Sequence, residues 1–348
     1  MAQRGEGAGK GARGARFAGL QKVNKGGRCI DLGGTQVRAA LIDKHGTIVG
    51  RMEEPTEAQA GPERVLSQIH GLTEKLLAAT KSSVVVGIGV STPGPIDTVS
   101  GIAKDIPTLS GFADFPLKAE LQKRFAFPVS LENDGIAAAI GEWQFGAGRG
   151  LENLVYVTVS TGIGGGVVAD GRVVRGRKGM AAHIGHMSVE PNGALCPCGN
   201  HGCFEAYGSG TAFTLRARTR VSGCEETTLG KNGREIHARD VFAAARNGDA
   251  LAKRLIDEEA EILGRGFTSL IHIFSPDIVV MGGGISHEFE RLQPGIQAYI
   301  GQWAMPAFKD VNVVRAALGQ NSGLVGSAAL AFLAKRPEAD TFALAAHN

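Results

Sequence analysis

An α/β chain in which one β-β-β-α-β unit occurs twice, forming two lobes around a central cleft, is the fold the sequence predicts. Three observations carry it: β-rich runs broken by turn signals at Gly33-Gly34 and His45-Gly46, a helical stretch and a buried strand directly after them, and the return of the same order from Asn153. From Cys29, CIDLGGTQVRAALIDKHGTIVGRMEEP reads as three consecutive antiparallel strands. Residues 62–80 place apolar side chains at helical spacing behind a proline in the first turn, and SVVVGIGVSTPGP supplies a buried strand. In the second copy LVYVTVSTGIGGGVVADGRVVRG gives strand, glycine turn, strand, Asp170-Gly171 turn and strand. Between the copies, a strand ends near Glu132 and an Ala-rich helix runs from about Gly135 to Trp143, with 146–150 as the expected hinge. Residues 238–275 read as largely helical, PDIVVMGGGIS as a buried strand entering a glycine turn, and Gly323–Leu333 as a closing helix.

The expected organisation is a basic Gly/Ala/Arg-rich tail over 1–28 and a first lobe over 29–148 on which the helix 323–333 packs. A second lobe follows over 149–322, with a cysteine loop at 183–205, and the C-terminus at 334–348 is loose. At 348 residues and 43% hydrophobic composition the chain can bury a large core. Its net charge of +3 is misleading, because residues 1–28 hold seven Lys/Arg against Glu6 alone, leaving about −3 elsewhere. The positive excess thus sits in a tail too poor in large apolar residues to fold, read as disordered, with an RNA- or membrane-touching arm or a misassigned start as alternatives. A basic nucleic-acid surface is not expected. No stretch approaches the ~18 apolar residues of a membrane span, and no secretory core is present, so a cytoplasmic location is expected. Five cysteines are too few for a disulfide scaffold.

The turn Asp31-Leu32-Gly33-Gly34-Thr35 lies between two strands, so it is not a dinucleotide fingerprint. Bare backbone N–H groups there could approach phosphate oxygens, with Thr35 adding a hydroxyl. A second such turn, Ser160 to Gly166 with Thr161, Gly162 and Gly164, sits at the equivalent place of the second copy, so the two could close on one polyphosphate. Asp31, at a strand end, is placed to hold Mg²⁺ through water, although a structural turn carboxylate is as good a reading of that residue alone. In Glu132-Asn133-Asp134 a strand delivers Asp134 to a helix N-terminus, where an ionised carboxylate could take a proton from an attacking alcohol. The alternative is that Asn133 or Asp134 merely caps the helix. His186, Cys196, Cys198 and Cys203 form a Cys₃His set, a closed tetrahedral zinc site with no position left for water and hence a structural role. Cys29 and Cys224 are read as ordinary thiols.

DLGGT, GVSTPGPID, ENDGIAAAIGEW, STGIGGGVV, HIGH…CPCGNHGCFEAYGSG and VVMGGGIS together resemble the ROK family (repressors, open reading frames and kinases) of the actin–hexokinase, ribonuclease H-like superfold, over about residues 29–333. The resemblance implies an ATP- and Mg²⁺-dependent hexose kinase, with O6 of glucose as the leading acceptor and N-acetylmannosamine or another hexosamine as the alternative. It also leaves open a polyphosphate donor, and a catalytically weak, sugar-binding regulatory protein. A DNA-binding repressor is not expected, since 28 Gly-rich residues cannot form a helix-turn-helix. Residue by residue, it implies Asp134 as general base and Asn133, Pro93 and Gly94 around the sugar. His186 would touch both zinc and sugar, and Glu205 would sit near the anomeric end. Gly33, Gly34, Thr35, Thr161, Gly162 and Gly164 would lie on the phosphates and Gly283 and Gly284 beside adenosine. A homodimer or homotetramer is also implied. One departure concerns specificity, because the family's sugar-binding Glu-x-Gly-His reads His183-Ile184-Gly185-His186 here, with histidine in place of a negative acceptor.

Overall fold

A computed structural model describes residues 26–79, 85–222, 227–231 and 233–333. The expectations for the tail up to residue 25, for 334–348, for Cys224 and for the thiol of Cys29 lie outside what is described. The first half runs β1 (Gly26–Leu32), β2 (Gln36–Asp43), β3 (Ile48–Pro55), α1 (Pro62–Ala79), β4 (Val85–Thr92), β5 (Ile96–Asp97), β6 (Ile102–Ala103), α2 (Leu117–Arg124), β7 (Val129–Asn133) and α3 (Asp134–Phe145). The second runs β8 (Leu154–Val159), β9 (Ile163–Ala169), β10 (Arg172–Val173), α4 (Glu205–Gly208), α5 (Gly210–Val221), α6 (Ala238–Arg246), α7 (Ala250–Phe274), β11 (Ile278–Gly282), α8 (Phe289–Trp303), β12 (Asn312–Arg315) and α9 (Ser322–Leu333).

The two five-stranded sheets share one topology, β3-β2-β1-β4-β7 and β10-β9-β8-β11-β12. In each, an antiparallel meander of three strands is extended by two parallel ones, as the repeated unit predicts. β1 starts at Gly26, three residues inside the stretch expected as tail, because Gly26 already pairs with Asp43. The duplication is less regular than the sequence order implies: β10 has only two residues, and the cysteine loop with four helices intervenes before β11. α2, α5, α8, β5, β6 and β12 were not foreseen. The pairs are too short for periodicity to register, and α2 and α5 are predominantly polar.

Register places the site. β1, β4 and β7 are mutually parallel, with Asp31 opposite Ser91, Ser91 opposite Glu132 and Thr92 opposite Asn133, so their polar residues meet at one sheet edge. This is the carboxyl end of parallel strands, where open α/β sheets bind ligands. The outer face of the first sheet is covered by α1 and α2, and that of the second by a core including Phe204, Phe213, Phe242 and Phe267. α3 and α9 lie between the sheets and against each other.

Bare backbone makes that inner layer possible. A Cβ on Gly326 of α9 would overlap the Ala137 carbonyl of α3, and one on Gly141 would overlap the Ser322 carbonyl. A Cβ on Gly89 of β4 would overlap the Ser327 carbonyl, and on Gly166 of β9 it would fall 2.6 Å from Ala139 Cβ. Because carbonyl groups inside a helix cannot withdraw, Gly326→Ala is expected to destabilise by about 3 kcal/mol or more. Gly301→Ala, on α8 with open space around it, should stabilise by about 0.5–1 kcal/mol. Urea unfolding of both variants checks the contrast in sign.

Candidate active site in the interlobe cleft

Asp134 stands at the first turn of α3. Asn133 is the N-cap, its Oδ1 accepting from the N–H groups of Gly135 (3.0 Å) and Ile136 (3.4 Å). The capping alternative therefore falls to Asn133, while Asp134 accepts from Gly135 N–H at 2.8 Å and is open to the cleft. Protein surrounds it on every other side. That enclosure, with the nearby Asp31 carboxylate, pushes its pKa up to about 6, against the opposing pull of the Gly135 N–H and the Asn133 side chain.

Asp31 is buried and committed. Its Oδ1 accepts from Ser91 Oγ at 2.6 Å and its Oδ2 is paired with Arg38, which also donates to the Gln320 carbonyl. With each oxygen already holding a partner and the group buried, Asp31 suits contact with a cation through water. Glu132 is buried, and burial raises its pKa against the pull of Arg175, whose Nε lies 3.0 Å from Oε2. Arg175 follows β10 of the second sheet, so this pair spans the cleft.

Pro93 and Gly94 extend β4 beyond Thr92, half-buried, with a cis Gly94–Pro95 bond. A Cβ on Gly94 would meet Asn133 Nδ2 at 3.0 Å and His183 Cε1 at 3.7 Å, so three expected sugar-site residues converge. The His183 and His186 rings stack with centroids 6.3 Å apart, and burial with the neighbouring His186 holds the His183 imidazole below its ordinary pKa.

The donor atoms of His186, Cys196, Cys198 and Cys203 lie within 4.8 Å of one another, with Cys196 Sγ 3.7 Å from His186 Nδ1 and Cys198 Sγ 3.6 Å from Cys203 Sγ. Tetrahedral zinc with its usual bond lengths requires donor separations of roughly 3.3–3.8 Å, so the set fits the ion with little adjustment. The sulfur separation is far too long for a disulfide.

Glu205, at the start of α4, accepts from Ile163 N–H at 2.7 Å, tying the cysteine loop to the second glycine turn, and Gly162 has no room for a Cβ beside it. The glycines of that turn divide in purpose. Thr161 and Gly162 are at the turn and Gly164 is the second residue of β9, whereas Gly165 and Gly166 exist for close packing against Tyr156, Ile184 and α3. At the first turn, Gly33 N–H donates to the Gln36 carbonyl and Gly34 is required by Thr108, whose Cβ would lie 2.6 Å from an added Cβ; Thr35 is exposed.

Beside the second turn is a cavity of about 870 Å³ lined by Ser160, Thr161, Gly210, Thr211 and Gly284, with Arg218, His237, Arg239 and His287 also on its walls. Gly283, at φ +85°, turns the chain against the Val159 backbone so that Gly284 faces the cavity. The basic wall residues come from segments without a motif and were not foreseen. Gly210 and Thr211 did carry a signal, since Ser209-Gly210-Thr211 is a helix start, and Thr211 Oγ1 donates to the Thr161 carbonyl at 2.8 Å.

Two sheets of one topology, an inner helix pair and a carboxylate at the cleft floor define the class: the bilobal actin–hexokinase fold. The chain belongs to the ROK family, whose profile matches residues 28–333. It is 36% identical over 305 residues to the glucokinase of Thermotoga maritima, covering 86% of this chain and 95% of that one. To the N-acetylmannosamine kinase of Salmonella heidelberg it is 32% identical over 302 residues, covering 87% and 97%. A solved ROK family glucokinase from Streptomyces griseus, in complex with glucose and AMPPNP, superposes with a TM-score of 0.76 at 33% identity, covering 88% of this chain and 99% of that one. Among the described residues no helix is long and apolar enough to cross a membrane.

A carboxyl group whose folded-state pKa lies above its unfolded value opposes folding once it is ionised. Asp134→Asn is therefore expected to be more stable than the wild type at pH 8, with the difference shrinking as the pH falls through about 6 and gone only by about pH 3, where the carboxyl is protonated in both states. Denaturation midpoints across that range, with a carbon-detected titration placing Asp134 near 6, check both sign and origin.

Proposed function

We propose that this protein is an ATP-dependent sugar kinase that transfers the γ-phosphoryl group of ATP to a hexose hydroxyl, with O6 of glucose the leading acceptor. The observation that carries the reading is Asp134, a carboxylate of raised pKa open to the cleft, beside Asn133, Gly94 and His183 and at the end of the strands facing Asp31. The named activities of the relatives support it, glucokinase above all, with N-acetylmannosamine kinase as the second reading. A cytoplasmic location is part of the same proposal.

The sugar would sit among Pro93, Gly94, Asn133, His183, His186 and Glu205. The acceptor oxygen bonds to the γ-phosphorus as the bond to the β-phosphate oxygen breaks, its proton passing to an Asp134 oxygen and ADP leaving. A base with pKa about 6 is ionised at neutral pH yet basic enough to hold that proton. The phosphates would lie between Thr35 with Gly33 and Gly34 on one side and Thr161, Gly162 and Gly164 on the other. Adenosine would occupy the large cavity by Gly283 and Gly284. Mg²⁺ would supply charge neutralisation; the residues suit an ion arriving on the nucleotide phosphates, with Asp31 touching its water shell, rather than one resident on protein ligands. Closure of the lobes excludes water. With His183 in place of a negatively charged acceptor, the sugar hydroxyls facing it meet an imidazole, which bears on which hexose is preferred.

Turnover should appear as ADP release with MgATP on one of glucose, mannose, N-acetylglucosamine, N-acetylmannosamine, fructose or allose. Asp134→Asn should cost ~10²-fold or more in kcat while sugar binding survives. Near-normal kcat in that variant would remove the base, and silence on all six sugars would remove the kinase.

Structural zinc on His186, Cys196, Cys198 and Cys203 would hold the loop from His183 to Glu205 and so both ends of the sugar contact. Metal analysis of protein purified without added metal is expected to find about one zinc per chain. Cys198→Ala, at an exposed ligand, should empty the site and weaken sugar binding at least tenfold, leaving nucleotide affinity within about twofold. Folded, active protein without zinc would refute it.

A further inference from the structure

Glu142, on the last turn of α3, is a fully buried carboxylate whose partners are all at the junction of the two lobes. Among the described residues the chain passes from one sheet to the other at two places, from α3 through 146–153 into β8, and from β12 through 316–321 into α9. Glu142 holds both. Its Oε2 accepts from the N–H groups of Ala147 (2.9 Å) and Ala317 (3.0 Å), and its Oε1 from Leu318 N–H (2.9 Å) and Ser322 Oγ (2.8 Å). Its backbone carbonyl takes the N–H groups of Gly146 (3.0 Å) and Gly148 (2.9 Å), and Gly146 has no space for a side chain beside the carboxylate. Three backbone N–H groups, with a serine hydroxyl shared with the Gly319 carbonyl, meet the two oxygens without a counter-ion. The segment expected as a free hinge is therefore gripped at its first three residues, and the second crossing is gripped by the same group.

We propose that Glu142 is a positioning residue that pins the two interlobe crossings to α3, and so sets the angle at which the second lobe meets Asn133 and Asp134 at the other end of that helix. The inference rests on the sugar-kinase reading for its kinetic consequence and on the fold alone for its mechanical one. A nucleotide held by β8, β9, α5 and Gly284 touches one side of the pin. A sugar held by Gly94 and Asn133 on one side and by His183 and Glu205 on the other spans it. Loosening the pin should therefore separate the two ligands, which a general loss of folding would not do.

The test is Glu142→Gln, which keeps shape but turns an amide NH₂ toward backbone N–H donors, with Ser322→Ala as the milder variant. Both are made in a Trp303→Phe background, leaving Trp143 as the only tryptophan. Trp143 is the neighbour of Glu142, and its Nε1–H donates to the Leu151 carbonyl at 2.8 Å across the first crossing, so its emission reports on that junction. For Glu142→Gln, sugar Kd and kcat/KM should worsen at least tenfold while the Kd for the ATP analogue AMPPNP stays within about twofold. Amide exchange at 146–148 and 317–318 should quicken at least tenfold, the radius of gyration of the unliganded protein should rise, and the Trp143 response to sugar should be lost. Ser322→Ala should move the same quantities less, about threefold in sugar Kd. Sugar and nucleotide affinities falling together would make Glu142 merely structural, and unchanged exchange and scattering in Glu142→Gln would overturn the pin. If the wild type turns over none of the sugars, the kinase reading fails, and exchange and scattering still decide the mechanical claim.

Discussion

Everything in this molecule hangs on the close approach of α3 and α9 between two sheets. Two sheets of identical topology could each bury a face against outer helices and remain separate bodies. Here the inner faces share one helical layer, and the contact is backbone against backbone at Gly89, Gly141, Gly166 and Gly326. Such a contact leaves little tolerance, because a single methyl group would strike a carbonyl already committed within its helix. It also fixes where α3 begins, and therefore where Asn133 and Asp134 are presented.

Division of labour at that helix start explains the site's electrostatics. Asn133 spends its carbonyl oxygen on the cap, which leaves its amide toward Gly94 and leaves Asp134 to the cleft. Asp31 is paired with Arg38 and accepts from Ser91, and Glu132 faces Arg175. Three carboxylates converge on one sheet edge, and Asp134 alone has neither a basic partner nor full burial. A raised pKa follows from that poverty of partners together with enclosure and the Asp31 carboxylate, and it costs the folded state stability at neutral pH. Glu142 at the other end of the helix shows the opposite solution, a carboxyl group buried completely among three backbone N–H donors and the Ser322 hydroxyl.

The cysteine loop adds a second tie between elements. Through Glu205 it reaches the backbone of the second glycine turn, and through His183 it reaches the end of β4, so a local cluster of sulfur and imidazole joins both sides of the cleft. Its own geometry needs only the spacing of four donors within eighteen residues of chain.

Local chemistry is why so much was legible in the residues themselves. Strand alternation and turn dipeptides marked the first meander, helical spacing marked α1 and the Ala-rich run marked α3, since each signal lies within a few residues. The Cys₃His set, the two Gly/Thr turns and Asp134 were legible for the same reason. What the residues could not tell is which groups from distant segments would meet. Arg38 on Asp31, Arg175 on Glu132, Glu205 on the Ile163 N–H and the basic wall of the large cavity all depend on register and on helix placement. The glycines make the point most clearly: in STGIGGGVV they are alike as letters, yet Gly162 is a turn beside Glu205 and Gly166 is the floor on which a helix rests. Sequence by itself determined the repeated unit, the donor sets and the candidate base, because those are properties of short segments. Only the tertiary structure decided the pairing of charges and the purpose of each glycine, because both depend on distances between segments far apart in the chain.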